Sequence, residues 1–103
     1  GTPFHIQQND RADIASISFA LMASSREHRE AIARALRAAA IETRPLGGGS
    51  MARQPFWVAR YGATALPFAD RIHETCMHLP NHPGLSAADI NFICDVVEGV
   101  PAV

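Results

Sequence analysis

The fold and the candidate site both depend on residues 41–55, which read IETRPLGGGSMARQP. The segment begins with β-branched residues, and Pro45 favours an extended Arg44, so residues 41–45 predict a short edge strand. Three consecutive glycines, residues 47–49, then remove every side chain and permit positive φ. Arg44 and Arg53 flank this turn with planar, permanently charged groups suited to phosphate or carboxylate. The segment therefore predicts either a ligand-binding loop or a flexible surface loop.

Length and composition limit the class of protein. A chain of 103 residues predicts one domain that buries roughly two-thirds of its unfolded surface. Hydrophobic residues make up 48% of the chain, but no apolar run approaches the ~20 residues that a membrane-spanning helix needs. The net charge of -1 gives little support for a general grip on nucleic acid. We therefore expect neither a membrane protein nor a nucleic-acid-binding protein.

The cysteine and basic residues suggest the compartment and limit the chemistry. Cys76 and Cys94 form no paired motif and predict reduced thiols in a cytoplasmic protein. All nine basic residues are arginine, so no side-chain amine can form a Schiff base. Because the chain opens on Gly1 and not on Met, we expect a processed form or an excised piece of a longer protein.

Local patterns predict three strands and an irregular start. Residues 1–13 lack periodicity and predict an irregular lead-in to a single domain, residues 1–103. Alternating apolar residues predict a first strand over residues 16–22, and a brief apolar run predicts a last strand over residues 76–79. With residues 41–45 between them, these segments form a small sheet.

Capping residues and apolar stripes predict three helices, over residues 25–40, over residues 64–75 and over a last segment that ends before Gly99. Ser24 with Glu27 predicts a capping box for the first, Thr64 a cap for the second, and Ser86 with Asp89 a capping box for the last. The arginines of the first helix are assigned to solvent: Arg26, Arg29, Arg34 and Arg37.

The order of these elements predicts an α+β fold, a small three-stranded sheet covered by helices on one face. The aromatic cluster over residues 56–61 favours side chains that pack in the core or in an interface over side chains that stack on a ligand. The other face of so small a sheet is left for a partner domain or subunit, because an exposed apolar sheet face is a liability.

No metal site is predicted. His78 and His82 have a spacing seen in zinc sites, with His73 and Cys76 close by. However, prolines separate the two histidines across a strand exit and a turn, and no Cys-x-x-Cys accompanies them. No Ser, His and Asp arrangement carries a nucleophile signature either.

Two motifs resemble a known family. Residues 79–90, LPNHPGLSAADI, resemble the LP-x-HP-x-LS-x-x-DI signature of the DegT-type nucleotide-sugar aminotransferases, and residues 40–46, AIETRPL, resemble their GIETRPL strand. Residues 53–55, RQP, resemble a loop of the sugar 3-dehydratase branch and its closest aminotransferase relatives. The resemblance covers about residues 17–97 in the order and spacing of the family.

The resemblance implies the C-terminal small domain of an aspartate-aminotransferase-type (fold type I) enzyme. In such enzymes a large domain of the same protein carries pyridoxal phosphate, the small domain closes one side of the site, and the parent is a homodimer. The substrate implied is a 4-keto-6-deoxy nucleotide sugar of cell-surface polysaccharide biosynthesis, which the parent transaminates or dehydrates. Ser50 replaces the usual Asn of the dehydratase branch and Ala40 the usual helix-ending Gly, so both reactions stay open.

The resemblance also implies a set of substrate-binding residues: Arg44, Gly49, Ser50, Arg53 and Gln54. The arginines would contact sugar hydroxyls or phosphate, the glycine turn would let the backbone approach, and Gln54 would orient a polar group of the substrate. The cofactor-binding lysine, or the histidine that replaces it in dehydratases, belongs to the large domain, so no catalytic, cofactor-binding or metal-binding residue is expected here. We therefore expect this chain alone to be inactive.

Two alternatives remain at this level. Arg44 could be a surface residue of its strand while Arg53 ties the loop down. The whole chain could also be a free-standing α+β binding or interaction module without catalytic activity.

Overall fold

The computed structural model describes residues 5–6, 19–45 and 49–102, and confirms the predicted α+β class. The elements follow in chain order: strands β1 (His5–Ile6) and β2 (Phe19–Met22), helix α1 (Arg26–Ala38), strand β3 (Arg44–Pro45), a 3-10 turn (Met51–Arg53), helices α2 (Pro55–Tyr61) and α3 (Pro67–Thr75), strand β4 (Cys76–Leu79) and helix α4 (Ala87–Glu98).

The sheet has the strand order β1-β2-β4-β3, and every neighbouring pair is antiparallel. The three predicted strands correspond to β2, β3 and β4, although β3 is shorter than residues 41–45. The described residues pair as four strands, because His5 and Ile6, within the predicted lead-in, add a short edge beside β2. Residues 16–18 of the predicted first strand lie outside the described residues.

The core lies on one face of the sheet. Leu21 of β2 is opposite Met77 of β4, so both side chains point to the same face. Helices α1 and α4 pack over this face and close a cluster of buried residues: Leu21, Ala23, Ile32, Leu36, Met77, Leu79 and Val97. Burying a large apolar side chain of this kind contributes about 1.5–3 kcal/mol, so this cluster holds the fold together.

Helix α1 begins one residue later than its predicted capping box. Ser25, and not Ser24, is the N-cap, and its hydroxyl accepts from the backbone N–H of His28 at 3.0 Å. Ser24 donates its own backbone N–H to Nδ1 of His28 at 3.1 Å. His28 is fully buried, because the apolar stripe of α1 runs from His28 through Ile32 to Leu36.

The end of α1 requires a residue in the left-handed region. The N–H of Ile41 donates to the carbonyl of Leu36 at 2.8 Å, and the N–H of Ala40 to that of Arg37 at 3.0 Å, the pattern of a Schellman motif. Ala40 therefore has a φ of 61°, although glycine is favoured at this position. Ile41 packs against the core cluster, as this motif commonly requires.

The segment between β3 and α3 differs from its prediction. Residues 56–61, predicted only as an aromatic cluster, belong to helix α2, which begins at Pro55, a residue tolerated in a first turn. Thr64 caps no helix, since α3 begins at Pro67, and the Thr64 hydroxyl instead accepts from Nε1 of Trp57 at 3.1 Å. Trp57 is half-buried, but Phe56, Val58 and Tyr61 are exposed, so the cluster lies outside the core of the described residues.

Helix α4 begins at its predicted capping box. The Ser86 hydroxyl accepts from the N–H of Asp89 at 3.1 Å, and the Asp89 carboxylate accepts from the N–H of Ser86 at 2.9 Å. Of the predicted inward stripe, Val97 is buried, whereas Ile90 and Cys94 are exposed. Among the helices of the described residues, none is both long and apolar enough to cross a membrane.

Candidate functional site

The end of the glycine turn is fixed against helix α3. Gly49 has a φ of 73°, in the region that glycine adopts at little cost. The next residue, Ser50, donates its backbone N–H to Nδ1 of His73 at 2.8 Å. Residues 46–48, which include the first two glycines, lie outside the described residues.

Gly49 also has no room for a side chain. A Cβ built on its backbone would collide with Nδ1 of His73 and lie 2.7 Å from Cε1 of the same ring. Real Cβ atoms do not approach a ring this closely, so the imidazole occupies the space that any other residue would need. Gly49 is therefore required both by its backbone angle and by the His73 ring.

Arg53 ties the same segment to α3 through two carboxylates. Its Nε donates to Oδ1 of Asp70 at 3.0 Å, and its Nη2 donates to Oε1 of Glu74 at 2.8 Å. The hydrogen bond to Glu74, followed by that to Asp70, raises the pKa of the Arg53 guanidinium. Asp70 also binds the start of its own helix, because its Oδ2 accepts from the N–H of Leu66, the residue before α3. The tethering alternative for Arg53 is thus present in the structure, with Nη1 left outside these two ion pairs.

Ser50 and Gln54 lie beside Arg53 with different exposure. Ser50 is buried, 4% exposed, and its hydroxyl has no hydrogen-bond partner among the described residues. Gln54 is half-buried at the start of α2, and its side-chain amide lies 3.4 Å from the carbonyl of Ser50. A ligand approaching this segment would therefore meet the exposed Gly49 backbone before the Ser50 side chain.

Arg44 stands on strand β3, whereas Arg53 stands in the 3-10 turn that follows the glycines. Arg44 is exposed, opposite His78 of β4, and lines an open groove of about 570 Å³ between the end of α1, the sheet edge and α4. The groove also contains Glu42, His82 and Asp89. Gly49 is the fifth residue after Arg44, so their Cα atoms are at most about 18 Å apart.

The residues after β4 form a tight turn that leads into α4. The N–H of Gly84 donates to Nδ1 of His82 at 3.1 Å, and the N–H of Leu85 to the carbonyl of His82 at 3.1 Å. The hydrogen bond from the Ser86 backbone holds the pKa of Asp89 below its usual value. Among the described residues, no three His, Cys, Asp or Glu side chains come together as a metal site.

Comparison with protein families gives one match that covers nearly the whole chain. The model of the DegT/DnrJ/EryC1/StrS aminotransferase family matches residues 1–98 of the 103. The chain belongs to this family. A comparison with curated protein sequences found no match.

This chain contains no residue to which the family's cofactor could be covalently attached. The DegT/DnrJ/EryC1/StrS aminotransferases generally depend on pyridoxal phosphate, which such enzymes attach to a lysine. The 103 residues include no lysine, so this chain's residues do not fit covalent attachment of the group. What the chain does contain is the signature turn at His82 and a glycine turn fixed at Gly49.

The residues that fix the loop were missed by sequence reasoning. His73 was considered only as a metal ligand, and Asp70 and Glu74 were not singled out, although carboxylates four residues apart share one face of a helix. Arg29, assigned to solvent, donates instead from Nη1 to the carbonyl of His73 at 2.7 Å. This contact forms because α1 packs against α3, and no local pattern in either helix predicts that packing.

Proposed function

We propose that this chain is the small domain of a nucleotide-sugar aminotransferase or sugar 3-dehydratase that supplies sugars for cell-surface polysaccharide. It would act in the cytoplasm together with a pyridoxal-phosphate-binding large domain of the same protein, in a homodimer. The observation that carries the proposal is the family match over residues 1–98. Pyridoxal phosphate supplies an electron sink in such enzymes. The part assigned to this chain is to bind and orient the nucleotide sugar and to close the site.

The geometry supports a division of labour between the two arginines. Asp70 and Glu74 already neutralise Arg53, so a phosphate brought to Arg53 would meet two carboxylates as well as one guanidinium. Arg53 is therefore suited to neutral sugar hydroxyls, which can accept from Nη1. Its side chain remains 37% exposed, and its two ion pairs hold the fork in one orientation. A fork held in place before binding loses less entropy when the ligand arrives.

Arg44 is better suited to the diphosphate. Within the described residues its guanidinium forms no ion pair, so its charge is not neutralised by a bonded carboxylate, although Glu42 and Asp89 line the same groove together with His78 and His82. Gly49, which lies between the two arginines in the chain, contributes an exposed backbone, while Ser50 and Gln54 maintain the shape of the turn. Whether the parent transaminates or dehydrates depends on the residue at the cofactor position of the large domain, Lys or His.

The test is a matched pair of arginine substitutions in the enzyme that contains this chain. Arg53→Lys keeps the charge but loses the planar fork, and should lower kcat/KM for the nucleotide sugar by roughly 10- to 100-fold. Arg26→Lys is the control, because Arg26 is also an exposed, ion-paired arginine, bonded to Glu30 on α1 far along the chain from the loop. It should leave kcat/KM within about twofold. Equal kcat/KM values for the two variants would reject the assignment of this loop to substrate binding.

A further inference from the structure

His73 connects three parts of the molecule. Its backbone carbonyl accepts from Nη1 of Arg29, which belongs to α1, at 2.7 Å. Its ring accepts from the backbone N–H of Ser50, at the end of the glycine turn, at 2.8 Å. The ring itself stands on α3, three residues after Asp70 and one before Glu74, whose carboxylates bind Arg53. The loop of residues 49–54 is thus attached to α3 at two points, Ser50 and Arg53.

The hydrogen bond to Ser50 determines the state of the imidazole ring. A backbone N–H can only donate, so Nδ1 of His73 must be the unprotonated acceptor. The neutral ring then carries its proton on Nε2. This tautomer is a consequence of the contact and can be observed directly.

The contact with Gly49 gives the ring a second effect on the loop. The ring occupies the space of the missing Cβ, so the Gly49 backbone lies directly against it. Gly62 shows that positive φ alone does not create such a contact, because it has a φ of 76° with nothing within 4 Å of its built Cβ. The His73 ring therefore makes two contacts with the loop: it packs against the Gly49 backbone, and it accepts a hydrogen bond from the Ser50 N–H.

We propose that His73 is the positioning residue of the substrate loop: by accepting the Ser50 N–H and filling the space beside Gly49, it fixes where the exposed loop backbone meets the substrate. The consequence for substrate rests on the proposed function, whereas the attachment of the loop does not. His73 acts through the loop and touches no reacting atom. Without this attachment, Arg53 alone would hold the loop and the backbone of Gly49 could move away from its position.

The first test uses the unaltered chain and does not depend on any variant. In a 15N-labelled sample at mildly alkaline pH, an N–H···N hydrogen bond transmits a nuclear coupling between its two nitrogens. We expect this coupling between the Ser50 amide nitrogen and Nδ1 of His73, together with ring shifts of the Nε2–H tautomer. An Nδ1–H tautomer without the coupling would overturn the inference.

The second test separates the acceptor from the bulk of the ring. His73→Leu removes the acceptor and should speed hydrogen exchange of the Ser50 amide by about tenfold. His73→Asn returns an acceptor to the position of Nδ1 and should restore most of the protection. The Gly62 amide, which bonds to the Val58 carbonyl at 2.9 Å, serves as the internal reference and should not change. Equal Ser50 exchange in the Leu and Asn variants would contradict the acceptor role.

Kinetics of the enzyme that contains the chain then connects the loop to the substrate. His73→Leu should raise KM for the nucleotide sugar about tenfold with kcat within about threefold, and His73→Asn should restore KM. If the coupling and the exchange effect are absent, the His73 inference is wrong. If both are present and KM does not move, the loop is not the substrate loop, and the proposed function is what fails.

Discussion

Two regions of this chain bury their apolar residues very differently. In the region of the sheet, α1 and α4, Ile32 and Leu36 are 0% exposed. In the segment of residues 49–72, Phe56 is 62% exposed and Phe68 86% exposed. The first region contains the buried core, although Phe19, Ile90 and Phe92 at its surface are exposed; the second turns large apolar side chains outward, as surfaces that bind another protein or domain do.

The second region is held in place by polar contacts instead. Ser50 bonds to His73, Arg53 bonds to Asp70 and Glu74, and Trp57 bonds to Thr64. Hydrogen bonds and ion pairs are directional but individually weak, so they define a position without adding much stability. The buried core therefore supplies most of the stability, and recognition is the role that we propose for the 49–72 segment.

The largest effect is expected in the core. Leu36→Ala should cost about 2–5 kcal/mol of unfolding free energy, because it leaves a cavity where α1 meets the sheet. Phe68→Ala, its counterpart in the exposed region, should change the free energy by less than about 0.5 kcal/mol. Urea unfolding of both variants measures the two costs. Similar costs for the two would mean that the regions do not differ in this way.

The next effect tests how the loop is fixed. Gly49→Ala and Gly62→Ala both place a Cβ at positive φ, which costs about 1–3 kcal/mol. Gly49→Ala should cost about 1 kcal/mol more, because its Cβ collides with His73 and breaks the Ser50 hydrogen bond. The same unfolding experiment gives the difference. A larger loss for Gly62→Ala would show that the His73 contact does not restrain the loop.

The smallest effect has the opposite sign and lies within the first region, where α1 ends before strand β3. Ala40→Gly should stabilise the chain by about 0.5–1 kcal/mol, because Ala40 has a φ of 61° at the end of α1. Ala39→Gly, one residue earlier at a φ of -89°, relieves no strain and should destabilise by about 0.5–1 kcal/mol. Opposite shifts of the urea midpoint are expected. Destabilisation by Ala40→Gly would refute the strain at this position.

Sequence reasoning succeeded where a local signal decides the structure. The box of Ser86 and Asp89 sets the start of α4 through contacts between neighbouring residues, and the apolar run 76–79 marks β4 because a strand in the middle of the sheet buries its side chains. The predicted capping box of Ser24 and Glu27 was wrong by one residue, because the Ser24 N–H bonds to the buried His28 ring and the Ser25 hydroxyl caps the helix.

The candidate site was only partly predictable, because local signals mark some of its residues and long-range contacts hold the others. The glycine turn and Arg53 stand out in the sequence. Three consecutive glycines suggest a positive φ, and Gly49 has one. The partners that fix them, His73, Asp70 and Glu74, lie about 20 residues away on α3, and only the packing of the loop on that helix brings them together. Long-range contacts of this kind leave no periodic pattern.

The central claim, that residues 49–54 meet the substrate while the core only supports them, is tested most directly by hydrogen exchange. The enzyme that contains this chain is measured with and without a saturating nucleoside diphosphate sugar. We predict slower amide exchange over residues 49–54, with strands β2 and β4 unchanged, because a bound ligand slows local opening where it binds. Exchange over residues 49–54 that is the same with and without the nucleotide sugar would contradict the claim.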